Sequence, residues 1–326
     1  MNNKLLLPLL SIGFCLTTGS AKAALPVDST LPDYSTTSEL SGTLSSVGSD
    51  SLEKIMQQWQ ATFKQRHPNV QTKIKAKGSS TAPKALIKEE ANIGPMSRKM
   101  KRTEVKAFKE KYGYKPTKIP VAMDTLAIYV HKDNPIKGLR FADLDSIFSH
   151  EHKCGKHKEI KVWGDLGLTG KWKNQTIHAY GRNKKSGTYG YIKKRALCNG
   201  AYGKEVSQEE NFESITKKVA VSLGGIGYAS MAYQNKSVRI IPMAKSRGQK
   251  LVLPTPENTL NRHYPLGRFL YVYINRDPTK PVAEVEWEFI KLMLSKQGQE
   301  IISNNGYIPL SLKMIKKTLK KLKKVK

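Results

Sequence analysis

Apolar residues recur at helical spacing from Leu52 through Ile55, Met56, Trp59 and Phe63, which predicts a helix over Ser51–Arg66. The period then changes. Val70, Thr72, Ile74 and Ala76 occupy alternate positions and predict a strand near Val70–Lys75. Further helices are expected near Ala82–Glu90 and over Thr103–Lys111. Ile119–Val130 reads as a long strand interrupted at Met123-Asp124, a candidate crossing into a second domain. That domain holds a helix near Phe141–Phe148, a Trp163-Gly164-Asp165-Leu166 turn, a strand over Thr176–Tyr180, and a helix near Tyr191–Leu197. Gly224-Gly225-Ile226-Gly227-Tyr228 reads as a glycine-rich tight connection. The β-prone run Arg268–Ile274 returns the chain to the first domain, which a helix over Val282–Ser295 and the Tyr307–Leu310 segment complete. Alternating elements with two crossings predict two α/β lobes, 41–124 with 267–311 and 125–266, with a cleft between them.

Three of the helix starts share a composition. Ser45-Ser46-Val47-Gly48-Ser49-Asp50-Ser51 leads into the first helix, and Lys77-Gly78-Ser79-Ser80-Thr81 joins the first strand to the next. Gly181-Arg182-Asn183-Lys184-Lys185-Ser186-Gly187-Thr188-Tyr189-Gly190 leads into the helix near Tyr191. A fourth polar turn, Asn92-Ile93-Gly94-Pro95-Met96-Ser97-Arg98, precedes a basic helix. The first N–H groups of a helix have no intrahelical acceptor, and the macrodipole favours an anion there. Hydroxyls add donors, and Arg182, expected in a turn that reaches the surface, adds a planar fork suited to a tetrahedral oxyanion. Any one such turn is an ordinary Ser/Thr cap. A set on both sides of one cleft argues for a shared anionic ligand.

The chain begins with Lys4, an apolar run over Leu5–Leu16 and Ala21-Lys22-Ala23 before Ala24, the pattern of a signal peptide, 1–23. Phe14 before Cys15 is too large for a lipoprotein cleavage site. The expected product is exported to the periplasm, with a flexible Ser/Thr/Pro-rich lead over 24–40. Cys154 and Cys198 then remain, and in an oxidising compartment two cysteines are most simply a disulfide. The competing reading is a metal site at His150, His152, Cys154 and His157 with Asp145 upstream, which fits no structural zinc spacing and does not account for Cys198.

The formal charge of +30 becomes +28 once Lys4 and Lys22 leave with the signal. Basic residues are scattered over surface helices, and no aromatic-rich strand pair or zinc module reads bases, so dedicated nucleic-acid binding is not expected. A basic surface that raises the local anion concentration accounts for the excess. Residues 312–326 form a basic C-terminal tail in which eight lysines interleave with apolar residues near helical spacing. It is expected as a frayed, solvated terminus; a basic amphipathic helix touching anionic lipid head groups is the other reading.

Enzyme signatures fail on inspection. Ser51-Leu52-Glu53-Lys54 and Lys185-Ser186-Gly187 match two acyltransferase motifs, but no Ser-x-Asn lies between them. The Gly164–Lys171 run ends at Trp172 where a P-loop needs Ser or Thr, and no acid/His constellation supports a phosphatase. No catalytic residue, metal or cofactor is expected.

In order and spacing these motifs resemble the substrate-binding proteins of phosphate ABC transporters. The resemblance runs from about Ser41 to Leu310 and rests on Gly48-Ser49-Asp50-Ser51, with Trp59 eleven residues after the glycine, and on Gly78-Ser79-Ser80. Ile93–Arg98, Arg182–Thr188 and Gly225-Ile226-Gly227-Tyr228 complete it. It implies an α/β, two-lobed type II periplasmic-binding-protein fold with a hinge of crossing strands and the ligand cleft between the lobes. It further implies inorganic phosphate held by Ser49, Asp50, Ser51, Ser79, Ser97, Arg182, Ser186, Gly187 and Thr188, and delivery to the membrane permease subunits. The best-studied members carry an aspartate, acceptor of the proton of hydrogen phosphate, where this chain has Ser97. Asp50, in another ligand loop, is the carboxylate available for that role. The alternatives are a receptor for another oxyanion, such as sulfate or molybdate, and a basic surface-adhesive protein.

Overall fold

The computed structural model describes residues 25–36, 39–155 and 158–325, so the expected signal peptide and its cleavage site lie outside the described residues. In chain order the first elements are β1 (Gly42–Val47), α1 (Glu53–Arg66), β2 (Val70–Lys75), α2 (Ala82–Ile87), β3 (Gly94–Met96), α3 (Arg102–Tyr112) and β4 (Thr117–His131). There follow β5 (Leu139–Arg140), α4 (Phe141–Phe148), β6 (His178–Arg182), α5 (Gly187–Ala196), β7 (Ser207–Glu209) and α6 (Phe212–Val221). Next come β8 (Gly225–Ser230), β9 (Val238–Ile241), β10 (Met243–Ala244) and α7 (Pro256–Leu260). The chain closes with β11 (Gly267–Ile274), α8 (Glu284–Leu294), α9 (Lys296–Asn304) and α10 (Leu312–Lys323).

β4 organises the molecule. Its first half pairs antiparallel with β11, from Thr117 opposite Ile274 to Thr125 opposite Gly267. Its second half pairs with β8 and β9 instead. The strand runs unbroken through Met123 and Asp124, where an interruption was expected; Asp124 stays in the ladder because its charge is met by Arg268 directly opposite. The apolar residues divide accordingly. One core is drawn from Leu126–Leu266, and the larger of the others from Leu31–Ala122 with Leu270–Leu322. The result is the two-lobed α/β fold, its lobes joined by crossing strands.

In the core of Leu31–Ala122 with Leu270–Leu322, that of the first lobe, α1 buries Ile55, Met56, Trp59 and Phe63 along one stripe, and the Trp59 indole donates to the Gly298 carbonyl at 2.9 Å. In the other lobe Gly225–Tyr228 is not a tight connection. It is the start of β8, every residue of which is buried between β4 and β6. Glycines are tolerated there because partner strands on both sides supply the order that the residues lack.

Both termini depart from expectation. The lead, expected to be flexible, packs onto the first lobe: Leu31, Tyr34 and Leu40 are buried, and the Tyr34 hydroxyl lies 2.6 Å from His67 Nε2. The tail, expected to fray, is the docked helix α10, with Ile315 and Leu322 buried in the same core and Leu312, Met314 and Leu319 packed against it. Its apolar residues found a partner surface that no local pattern reveals. Cys154 and Cys198 form a disulfide, which removes Cys154 from the competing metal reading; His157 lies outside the described residues.

Candidate binding site between the lobes

Three loops of the first lobe are tied together by their backbones. Gly48 N donates to Lys75 O (3.0 Å), Ser49 N to Pro95 O (2.8 Å) and Gly78 N to Gly48 O (2.8 Å). This lacing places Ser49, Asp50 and Ser51, at the turn into α1, beside Ser79 and Ser97. Ser79 and Ser97 are fully buried; the Ser79 hydroxyl accepts from Ser97 N at 3.0 Å and lies 3.2 Å from the Ser97 hydroxyl.

The second lobe offers one loop and one helix start. α5 begins at Gly187, four residues before the expected Tyr191, and Ser186 is its N-cap, accepting from Thr188 N at 3.1 Å. The first turn of α5 abuts the first lobe so closely that only glycine fits. A Cβ on Gly187 would lie 2.3 Å from the Ser79 hydroxyl and 2.4 Å from that of Ser97. The Thr188 hydroxyl reaches within 3.4 Å of that of Ser51. All nine residues singled out in the sequence therefore meet along one seam between the lobes.

Arg182 differs from expectation in its setting. It is the last residue of β6 and is 1% exposed, not a residue of a surface-reaching turn. Its Nε donates to Glu209 O at 3.2 Å, and its Nη2 to Glu210 O and to Asp50 Oδ2 across the cleft. Its guanidinium sits 5.0 Å over the ring of Phe212, and its backbone N–H donates to the Tyr228 hydroxyl at 3.0 Å. Burial pulls its pKa down to about 10, which leaves it protonated at neutral pH. Burial likewise pushes the Tyr228 phenol up to about 12, so it stays neutral. Glu209, Glu210, Phe212 and Tyr228 are thus the residues that aim Arg182, and the sequence reading missed this role. The signal for three of them was faint, a three-residue strand running straight into a short helix.

What remains unbound defines the chemistry. The described residues leave ten buried side-chain polar atoms without a hydrogen-bond partner, and three of them, Arg182 Nη1, Asp50 Oδ1 and Ser49 Oγ, lie at the seam. Orphaned buried groups of this kind are rare in folded proteins and call for a ligand or water. Here a cationic donor, an anionic acceptor and a hydroxyl lie in loops that converge with further hydroxyls and the start of α5. A separate cavity of about 300 Å³ adjoins the seam at Ser51 and is lined by Lys54, Glu213, Tyr233, Asn304, Asn305 and Tyr307. It contains none of the other eight residues.

Two lobes closing over convergent oxyanion-type donors define a binding protein of the hinged class. Comparison with known proteins agrees. The model of the PBP superfamily domain matches residues 34–297. The phosphate-binding protein PstS of Pseudomonas aeruginosa is 50% identical over 304 residues, covering 93% of this chain and 94% of that protein. Protein SphX of Synechococcus elongatus is 27% identical, over 82% of this chain and 77% of its own length. Among solved structures, a substrate-binding protein of Clostridium perfringens with bound phosphate superposes with a TM-score of 0.68 at 26% identity, covering 83% of this chain and all of that one. An ABC-type phosphate transport receptor of Vibrio cholerae shares the fold at 23% identity and a TM-score of 0.66, over 82% of this chain and 100% of its own. The chain belongs to the PBP superfamily and, within it, to the family of PstS phosphate-binding proteins.

Proposed function

We propose that this chain binds inorganic phosphate between its lobes and delivers it to the membrane subunits of an ABC-type permease, as a carrier without catalytic turnover. The observation that carries the reading is the set of unpartnered buried atoms at the seam: Arg182 Nη1, Asp50 Oδ1 and Ser49 Oγ. Phosphate oxygens need donors, which Arg182, the hydroxyls of Ser49, Ser51, Ser79, Ser97, Ser186 and Thr188, and the first turn of α5 at Gly187 supply. Hydrogen phosphate also carries one proton that needs an acceptor. Asp50 Oδ1 is that acceptor, because Oδ2 is already committed to Arg182. The names borne by the relatives point the same way.

In this reading the lobes are 41–124 with 267–311 and 125–266, turning on β4 and β11, and the protein works in the periplasm after cleavage near Ala23. Since lobe 1 takes up the apolar side of α10, any contact of this helix with anionic lipid head groups is made by its lysines through charge alone. The test is calorimetric titration of phosphate and of sulfate into protein stripped of bound ligand by unfolding and refolding. Phosphate is expected to bind far more tightly than sulfate. Equal affinities, or tighter sulfate, would replace the reading with that of a general or sulfate receptor.

A further inference from the structure

We infer that the Ser80 hydroxyl and the Lys185 carbonyl form an interlobe latch that sets how long the cleft stays shut. The inference rests on the phosphate-receptor reading but concerns atoms that the ligand does not use. Lys185 O accepts from Ser80 Oγ at 2.7 Å and from Ser80 N at 3.2 Å, two hydrogen bonds from one lobe to one oxygen of the other. Neither group is needed locally. The residue that caps α2 is Thr81, whose hydroxyl turns back to Gly78 O at 2.8 Å, so Ser80 donates outward, across the cleft.

Both halves of the latch are held in place. On the second lobe, the Asn183 side chain accepts from Lys185 N (3.0 Å) and Ser186 N (3.3 Å), a local turn that points the intervening carbonyl at the first lobe. On the first lobe, Gly78 has φ +97° and lies so close that a Cβ there would be 2.6 Å from Lys185 O. The latch also flanks the candidate ligand residues on both sides, since Ser80 follows Ser79 and Lys185 precedes Ser186. Opening the cleft breaks it and closing re-forms it. It therefore favours the closed form with or without ligand, and its energy appears in the rate of ligand release.

The test uses the mature protein and Ser80→Ala, Ser80→Thr and Lys185→Ala. Two measurements are made: amide hydrogen exchange at residue 80 without ligand, and stopped-flow release of phosphate. Ser80→Ala retains the backbone half of the latch and loses one hydrogen bond, so release accelerates roughly three- to ten-fold with association little changed. Residue 80 also exchanges faster in the ligand-free protein. Ser80→Thr restores the hydroxyl and wild-type release. Lys185→Ala keeps the carbonyl, so its release rate is that of wild type. Wild-type release and exchange in Ser80→Ala would overturn the latch. Acceleration in Lys185→Ala equal to that in Ser80→Ala would do the same, by assigning the effect to the lysine charge. If wild type binds no phosphate, the function proposed above fails, while the exchange measurement still decides the latch.

Discussion

Two aspartate–arginine pairs lie where the lobes meet, one at the hinge and one in the cleft, and they differ in what the carboxylate leaves unbound. At the hinge, Asp124 on β4 faces Arg268 on β11 in register. Its Oδ2 accepts Arg268 Nε at 2.9 Å and Nη2 at 2.8 Å, and its Oδ1 accepts the Ser230 hydroxyl at 2.6 Å. Both carboxylate oxygens are satisfied, only Arg268 Nη1 lacks a partner, and the arginine lies 5.5 Å over the Tyr191 ring. In the cleft, Asp50 at the turn into α1 and Arg182 at the end of β6 come from opposite lobes, and each keeps one polar atom free. A buried ion pair by itself contributes little net stability, because desolvation offsets the attraction. The pair whose carboxylate is fully bound therefore reads as a joint. The pair whose carboxylate keeps an oxygen free, set among hydroxyls and a helix start, reads as a site.

The comparison can be broken most forcefully at Arg182. Charge-assisted hydrogen bonds contribute about 1.5–3 kcal/mol each, so Arg182→Ala is expected to weaken phosphate binding at least about 100-fold in a calorimetric titration. It also strands Asp50, and urea unfolding should show a loss of about 3–5 kcal/mol. A folded Arg182→Ala protein with wild-type affinity would remove the residue from the site.

At the hinge the balance reverses. Asp124→Asn leaves Arg268 buried without its counter-ion, with an expected stability loss of about 3–5 kcal/mol by urea unfolding. The phosphate affinity of the folded fraction should fall much less than in Arg182→Ala. A larger affinity loss than stability loss would mean that the two pairs do not divide their roles in this way.

Much of the cleft was legible before the fold because its chemistry is local. Gly48, Ser79, Ser186 and Gly187 advertise helix starts, and a helix start is a short-range pattern. The hinge pair was not legible. Asp124 looked like a strand breaker because the partner that neutralises it, Arg268, lies 144 residues away in sequence. The burial of Arg182 was hidden for the same reason: Phe212 and the carbonyls of Glu209 and Glu210 close over it from about 30 residues further along the chain. The lead and α10 were misread because an apolar stripe shows that a surface will be covered but not what covers it.

Away from both pairs, the Cys154–Cys198 bond spans 44 residues of sequence. The chain-entropy model assigns such a loop about 3–4 kcal/mol. Reduction should lower the melting temperature while leaving phosphate affinity unchanged, since the bond touches neither pair. A loss of affinity on reduction would show that the second lobe transmits strain from this loop to Arg182.

The smallest expected change in affinity among the cleft variants concerns Asp50. Asp50 caps no helix, its carboxylate meeting Arg182 instead, so Asp50→Asn leaves Arg182 without its counter-ion and should cost about 3–5 kcal/mol by urea unfolding. The amide can donate where the carboxylate only accepts, so phosphate should bind about tenfold more weakly. Sulfate, fully ionised and without a proton to offer, should lose nothing or gain, and the gap between the two ligands narrows. An unchanged gap would leave Asp50 as a counter-ion only.

The central claim is that phosphate takes up the atoms which the cleft pair leaves free, and a crystal structure of the phosphate complex tests it most directly. The anion is expected at the seam, with Arg182 Nη1 and the hydroxyls of Ser79, Ser186 and Thr188 donating to it and Asp50 Oδ1 within hydrogen-bond distance of one phosphate oxygen. Phosphate seated instead in the neighbouring cavity among Lys54, Asn304 and Asn305, with Arg182 Nη1 still unpartnered, would contradict it.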